Sequence, residues 1–116
     1  MLRISSTYTG IAQGQIALFD HFAHPTPMWT DTGPRAARAQ VVFNAPFLAP
    51  PVVHLSIGLI DQDHAQHQRL VIEARNVSET GFIAEARTWS DTRLARLALN
   101  WMAIGAVDDP DEAWDV

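Results

Sequence analysis

Asp31, Arg69 and Trp89, with Ser90-Asp91-Thr92 directly after the indole, place a carboxylate, a guanidinium and an aromatic ring in one short chain. That combination suits a sugar, which presents vicinal hydroxyls above an apolar C–H face. A carboxylate accepts from hydroxyls, a guanidinium donates in a fixed fork, and a flat ring offers a platform. Each residue also has a structural alternative. Asp31 in Thr30-Asp31-Thr32-Gly33 can stabilise a turn, Arg69 can be an exposed charge at a strand edge, and Trp89 can be core.

Other chemistries find less support. His21 pairs with His24, and His64 with His67 beside Asp61 and Asp63. An i, i+3 spacing presents two imidazoles to one metal only if the segment is helical, and a closed zinc site wants about four ligands. Residues 61–68 contain no apolar side chain beyond Ala65, which predicts an exposed loop between strands. Only convergence of His64 or His67 from several copies about an oligomer axis would change that. No metal site and no cofactor are therefore expected. The sequence has no glycine-rich phosphate loop, no G-x-S-x-G elbow and no H-E-x-x-H pair. A glycosidase needs two carboxylates facing each other across a deep cleft, which a small sandwich rarely encloses. The expectation is a protein without catalytic residues.

These side chains need elements to hold them. The chain has 116 residues, a length that suits a single core. With 47% hydrophobic residues it is not disordered, and with no cysteine it has neither disulfides nor thiol chemistry. The formal charge of −5 argues against nucleic acid, which is gripped by clustered cations. All eight basic residues are arginine, which keeps bidentate recognition available at every cationic position. No stretch reaches the ~20 apolar residues that span a bilayer, so membrane insertion is not expected. Met1 to Ser6 lacks the apolar heart of a signal peptide. The protein is expected to be cytoplasmic as synthesised, reaching the exterior or a particle surface by non-classical release.

Val53-His54-Leu55-Ser56-Ile57-Gly58-Leu59 alternates large aliphatics with polar or small residues, the period of a half-buried strand. Pro50-Pro51 marks its start. Residues 69–77 and 82–89 read as a hairpin about Ser78-Glu79-Thr80-Gly81, with the glycine supplying positive φ. Shorter strands are predicted at 39–43 and 15–19. Residues 93–105 fit two patterns. A helix would align Leu94, Leu97, Ala98 and Trp101; a strand would align Leu97, Leu99, Trp101 and Ala103, and the regular strands before it favour the strand. The fold class is all-β, a six-stranded antiparallel sandwich over residues 1–107, followed by an acidic tail, 108–116, that carries Trp114.

From Val42 to Gly105 the sequence resembles the H-type lectin domain, the family of snail agglutinins and discoidin carboxy-terminal domains. The resemblance rests on Phe43-Asn44-Ala45-Pro46-Phe47, Pro50-Pro51-Val52-Val53-His54-Leu55-Ser56-Ile57, Leu59-Ile60-Asp61, Val77-Ser78-Glu79-Thr80-Gly81-Phe82, Thr88-Trp89-Ser90-Asp91-Thr92 and Trp101-Met102-Ala103-Ile104-Gly105. A looser likeness extends back to Trp29. The resemblance implies a trimer, with stacking into hexamers in some members. Its sites lie between protomers and take galactose-type sugars, N-acetylgalactosamine above all. The family's arginine falls on Arg69, its Thr-Trp pair on Thr88-Trp89, and its aspartate within a residue of Asp31. The implied site is Asp31, Gly33, Arg69, Trp89, Ser90 and Asp91. Ser90 stands where snail members have histidine, which removes a flat contact for the sugar or its acetyl group.

The function expected on these grounds is multivalent, non-enzymatic binding of cell-surface glycans, in adhesion for example, with copies of the same chain as the other partner. The alternative is a structural or attachment module of a fibre or phage-like particle that keeps the sandwich and has lost the monosaccharide site.

Overall fold

The computed structural model describes residues 1–5 and 7–109; the acidic segment from Pro110 onward, with Trp114, lies outside them. The described residues form six strands: β1 (Tyr8–Asp20), β2 (Arg35–Val42), β3 (Val52–Gln62), β4 (Val71–Arg75), β5 (Gly81–Thr88) and β6 (Leu94–Val107). A single helical turn, α1 (Pro27–Thr30), precedes β2. One antiparallel sheet has the order β1-β6-β3 and the other β2-β5-β4.

β6 settles the ambiguous segment as a strand. It pairs with β1 on one side and β3 on the other, so its backbone polar groups are satisfied in both directions. Leu97, Leu99 and Ala103 point into the core, with Trp101 packed against it. A helix would have put Leu99 and Ala103 off the apolar face. β5, central in the other sheet, turns Phe82, Ala84 and Ala86 inward; the two alanines are wholly buried and let the sheets close. Phe43 sits between them, 5.1 Å from Phe47, 6.0 Å from Phe82 and 5.7 Å from Trp101, ring centre to ring centre.

Several strands run further than the apolar pattern suggests. β1 begins at Tyr8 because its inward positions, Gly10, Ala12 and Gly14, face β6 without large side chains. Gly14 leaves room for Trp101: a Cβ there would fall 2.9 Å from the indole Nε1. The turn between β4 and β5 also differs from expectation. The positive φ lies at Asn76, at 53°, a residue that tolerates the left-handed region. Gly81 is needed instead for close approach, since a Cβ there would sit 2.1 Å from the Val41 carbonyl oxygen across the β2–β5 pair.

Candidate functional site

The starts of β2, β4 and β6 and the end of β5 meet at one end of the sandwich. β2 opens there because Arg35 pairs with Thr88, the last residue of β5. The chain then turns through residues 89–93 into β6. Ser90 adopts φ 60°, an unusual conformation for a residue with a side chain. Such strain persists only where the surroundings fix it, and here its carbonyl accepts from Gly33 N at 2.9 Å and from Arg35 Nη2 at 3.1 Å.

Arg35 is the organiser of this end. Its Nε donates to the Gly33 carbonyl at 2.8 Å and its Nη1 to the Met28 carbonyl at 3.1 Å, so one guanidinium joins α1, the Gly33 turn and the Ser90 turn. Burial pushes its pKa down, while the nearby Asp31 charge works the other way. α1 itself starts at Thr26, whose hydroxyl accepts from Met28 N at 3.2 Å, with Pro27 in the first helical turn. Gly33, at φ 80°, supplies the turn that returns the chain to β2.

Arg69 lies immediately before β4 and reaches the loop after β5. Its Nη1 donates to Asp91 Oδ1 at 2.6 Å and to Thr92 Oγ1 at 3.2 Å. That hydrogen bond, aided by the guanidinium charge, holds the Asp91 carboxyl below its ordinary range. The loop under Arg69 is fixed by two buried threonines. Thr88 Oγ1 donates to the Arg69 carbonyl, and Thr92 Oγ1 to the His67 carbonyl at 2.6 Å. Trp89 is 44% exposed, so it is not core. With Pro34, Arg35, Ala36, Arg87 and Thr88 it lines a shallow depression of about 380 Å³.

Of the six site residues expected from the sequence, Arg69 and Asp91 are joined by their side chains, Gly33 and Ser90 by their backbones, and Trp89 stands next in chain to Ser90. Asp31 ends α1, exposed, and accepts from Thr30 Oγ1 at 2.9 Å; it touches the others only through the field it exerts on Arg35. The turn-stabilising role considered for it is thus occupied within the chain. Thr92 was named with the polar residues after Trp89, but Arg35 was not singled out by its sequence. Nothing in the local pattern marks an arginine whose partners are carbonyls distant in the chain. Among the described residues no cluster of three His, Asp or Glu side chains is placed to hold a metal ion; His64 is fully exposed.

Chemically, this end offers neutral and charged hydrogen-bond groups beside an indole face, the furniture of polyhydroxylated ligands. Residues 38–104 match the H-type lectin domain. A Fuscovulum blasticum protein named for the ATP synthase subunits region, its ORF 7, is 41% identical over 116 residues, covering 100% of this chain and 99% of its own length. Among solved structures, discoidin II of Dictyostelium discoideum aligns with TM-score 0.76 at 19% identity, covering 93% of this chain but only 41% of that chain. The tailspike protein gp49 of Pseudomonas phage LKA1 aligns with TM-score 0.53 at 16% identity, over 85% of this chain and 15% of that one. Both solved structures share the sandwich; their low identity carries the fold alone. Among the described residues no helix is long and apolar enough to cross a membrane. On the match that spans most of its strands, the chain belongs to the H-type lectin domain family of carbohydrate-binding domains.

Proposed function

We propose that the protein is a multivalent lectin for galactose-type glycans, with its sugar site built on Arg69, Asp91, Trp89 and Ser90 and completed by Asp31 and Gly33. The observation that carries this is the Arg69–Asp91 pair, tied to the same loop that presents the exposed Trp89 indole two residues before Asp91. Asp91 accepts from sugar hydroxyls, the remaining N–H groups of Arg69 donate, and the Trp89 ring takes the C–H face. Asp31 is exposed and its outer lone pairs are open to a ligand. Membership of a carbohydrate-binding domain family supports reading the site as one that binds without turnover.

Single sites of this kind are shallow and weak, and several copies on one body raise avidity by about 100-fold or more when the ligand spans them. The outer face of the first sheet supports self-association into a trimer. Across its strands run the rows Ile11–Ile104–Val52 and Gln13–Met102–His54, with neither Arg, Asp nor Glu among them. Loop 31–33 precedes β2 and Arg69 precedes β4, and these strands form opposite edges of the second sheet. Copies arranged about an axis therefore bring the Asp31 edge of one toward the Arg69 edge of the next. Ser90 in place of an imidazole favours galactose over N-acetylgalactosamine.

The test is a glycan array probed with labelled, full-length protein. Binding confined to galactose-type structures and lost in Arg69→Ala supports the reading. A blank array from a folded oligomer points to the attachment-module alternative, which draws on the sandwich shared with a phage tailspike.

A further inference from the structure

The second sheet turns toward solvent a face quite unlike the first. Its rows are Ala36–Arg87–Val71, Arg38–Glu85–Glu73 and Gln40–Ile83–Arg75. Glu85 and Glu73 stand directly opposite each other, an arrangement that like charges disfavour unless cations intervene. Arg87 Nη1 bridges them, donating to Glu73 Oε2 at 2.8 Å and to Glu85 Oε1. Arg38 Nε takes the other oxygen of Glu85 at 2.6 Å, and Arg75 Nε approaches Glu85 at 3.1 Å. Glu85 is thereby only 2% exposed, although it lies on the outside of the sandwich.

Three guanidiniums against two carboxylates leave this face one positive charge, in a chain whose formal charge is −5. Donors are also left over. Among the described residues neither Nη of Arg38, nor Nη1 of Arg75, nor Nη2 of Arg87 makes a hydrogen bond, and the Arg38 side chain is 61% exposed. The cluster adjoins the candidate sugar site. Arg87 lines the Trp89 depression, and outward positions of β5 recur about every 7 Å, so Trp89, Arg87 and Glu85 form a continuous strip.

We propose that this strip is an extended subsite: a sugar seated on Trp89 continues over Arg87, and an anionic substituent on its neighbouring residue, a sulfate ester, is received by the free guanidinium donors of Arg38 and Arg75. A sulfate accepts from several N–H groups at once, and two forks around a buried carboxylate present them without needing that carboxylate to move. This rests on the sugar site proposed above.

The experiment uses two immobilised probes, a tetrasaccharide ending in β-galactose on N-acetylglucosamine and the same compound carrying a 6-sulfate on that N-acetylglucosamine. Affinities are measured for the full-length protein, for Arg38→Gln and for Arg75→Gln; in each variant Glu85 keeps two of its arginines. The sulfated probe is expected to bind about five-fold tighter at low salt, the size of one exposed charge pair, with the gap closing at high salt. Either variant should narrow the gap and leave the neutral probe unchanged. Equal binding of the two probes to the unaltered protein, or a gap that survives in both variants, overturns the subsite and leaves the sugar site standing. Failure of both probes to bind overturns the galactose reading and the subsite with it.

Discussion

The two outer faces of this sandwich solve the problem of an exposed sheet in opposite ways. On the first sheet, Ile11, Val52, Leu59 and Met102 are open to solvent with only His54 as a titratable neighbour in their rows. On the second, solvent meets Arg38, Arg75, Arg87 and Glu73, and even the one fully covered polar group, Glu85, is covered by charged side chains. In a chain with 18% charged residues, charge-free rows across three strands are uncommon, and apolar patches of that kind mark interaction surfaces. The first face is suited to another copy of the chain; the second is suited to water and to polar ligands.

Breaking the first face should have the largest effect. Met102→Arg puts a cation in the middle of the uncharged rows, and in a trimer it arrives in every copy at once. Like charges brought together across an interface cost several kcal/mol. We expect assembly to weaken by at least 100-fold, read by light scattering, and binding of a monovalent sugar to weaken with it, because Asp31 of one copy no longer completes the Arg69 site of the next. Gln40→Arg, an outward position on the opposite sheet, is the matched control and should leave the oligomer unchanged. If the two substitutions act alike, the faces do not differ in the way their composition implies.

Arg69→Ala sharpens the comparison from the other side. It removes the donor to Asp91 and Thr92 at the site end while touching neither face. Hydrogen bonds to charged groups are worth about 1.5–3 kcal/mol each, so sugar binding should fall by at least about ten-fold. The oligomer should persist. Loss of assembly in Arg69→Ala would show that Arg69 holds the fold or the interface and not the ligand.

The fold was open to sequence reading where a period could be seen. Val53 to Leu59 alternates cleanly, Pro50-Pro51 stops at the first residue of β3, and the hairpin formed by β4 and β5 falls where its turn residues place it. β1 was under-read because Gly10, Ala12 and Gly14 conceal an inward face, on which Gly14 makes room for Trp101 and Gly10 for Val107. Gly81 was identified as special for the wrong reason: its requirement is the Val41 carbonyl on the next strand, a long-range contact that no local pattern encodes. The site shows the same division. Arg69 and Trp89 stood out through family motifs. Arg35, which binds three separate segments through their carbonyls, did not, since backbone acceptors leave no trace in side-chain types.

The smallest effect we expect comes from acid on the second face. Glu73 and Glu85 are both held below the ordinary carboxylate range, in each case first by the hydrogen bond from Arg87. A group whose pKa is lower folded than unfolded stabilises the fold fully above its unfolded value, about 4.3 for glutamate, and that contribution is lost as pH falls through the folded value. Stability measured by denaturant titration should therefore be level from neutral pH to about 5 and fall below that. Glu85→Gln should lower the neutral plateau and flatten the acid fall, because the side chain no longer titrates while Arg38, Arg75 and Arg87 lose a shared anion. Met102→Arg leaves this network intact, so at protein concentrations where both chains are monomeric its acid profile should parallel that of the unaltered protein. An acid fall that followed the oligomer and not Glu85 would place the titrating groups at the interface, and would mean that the uncharged face is not where the copies meet.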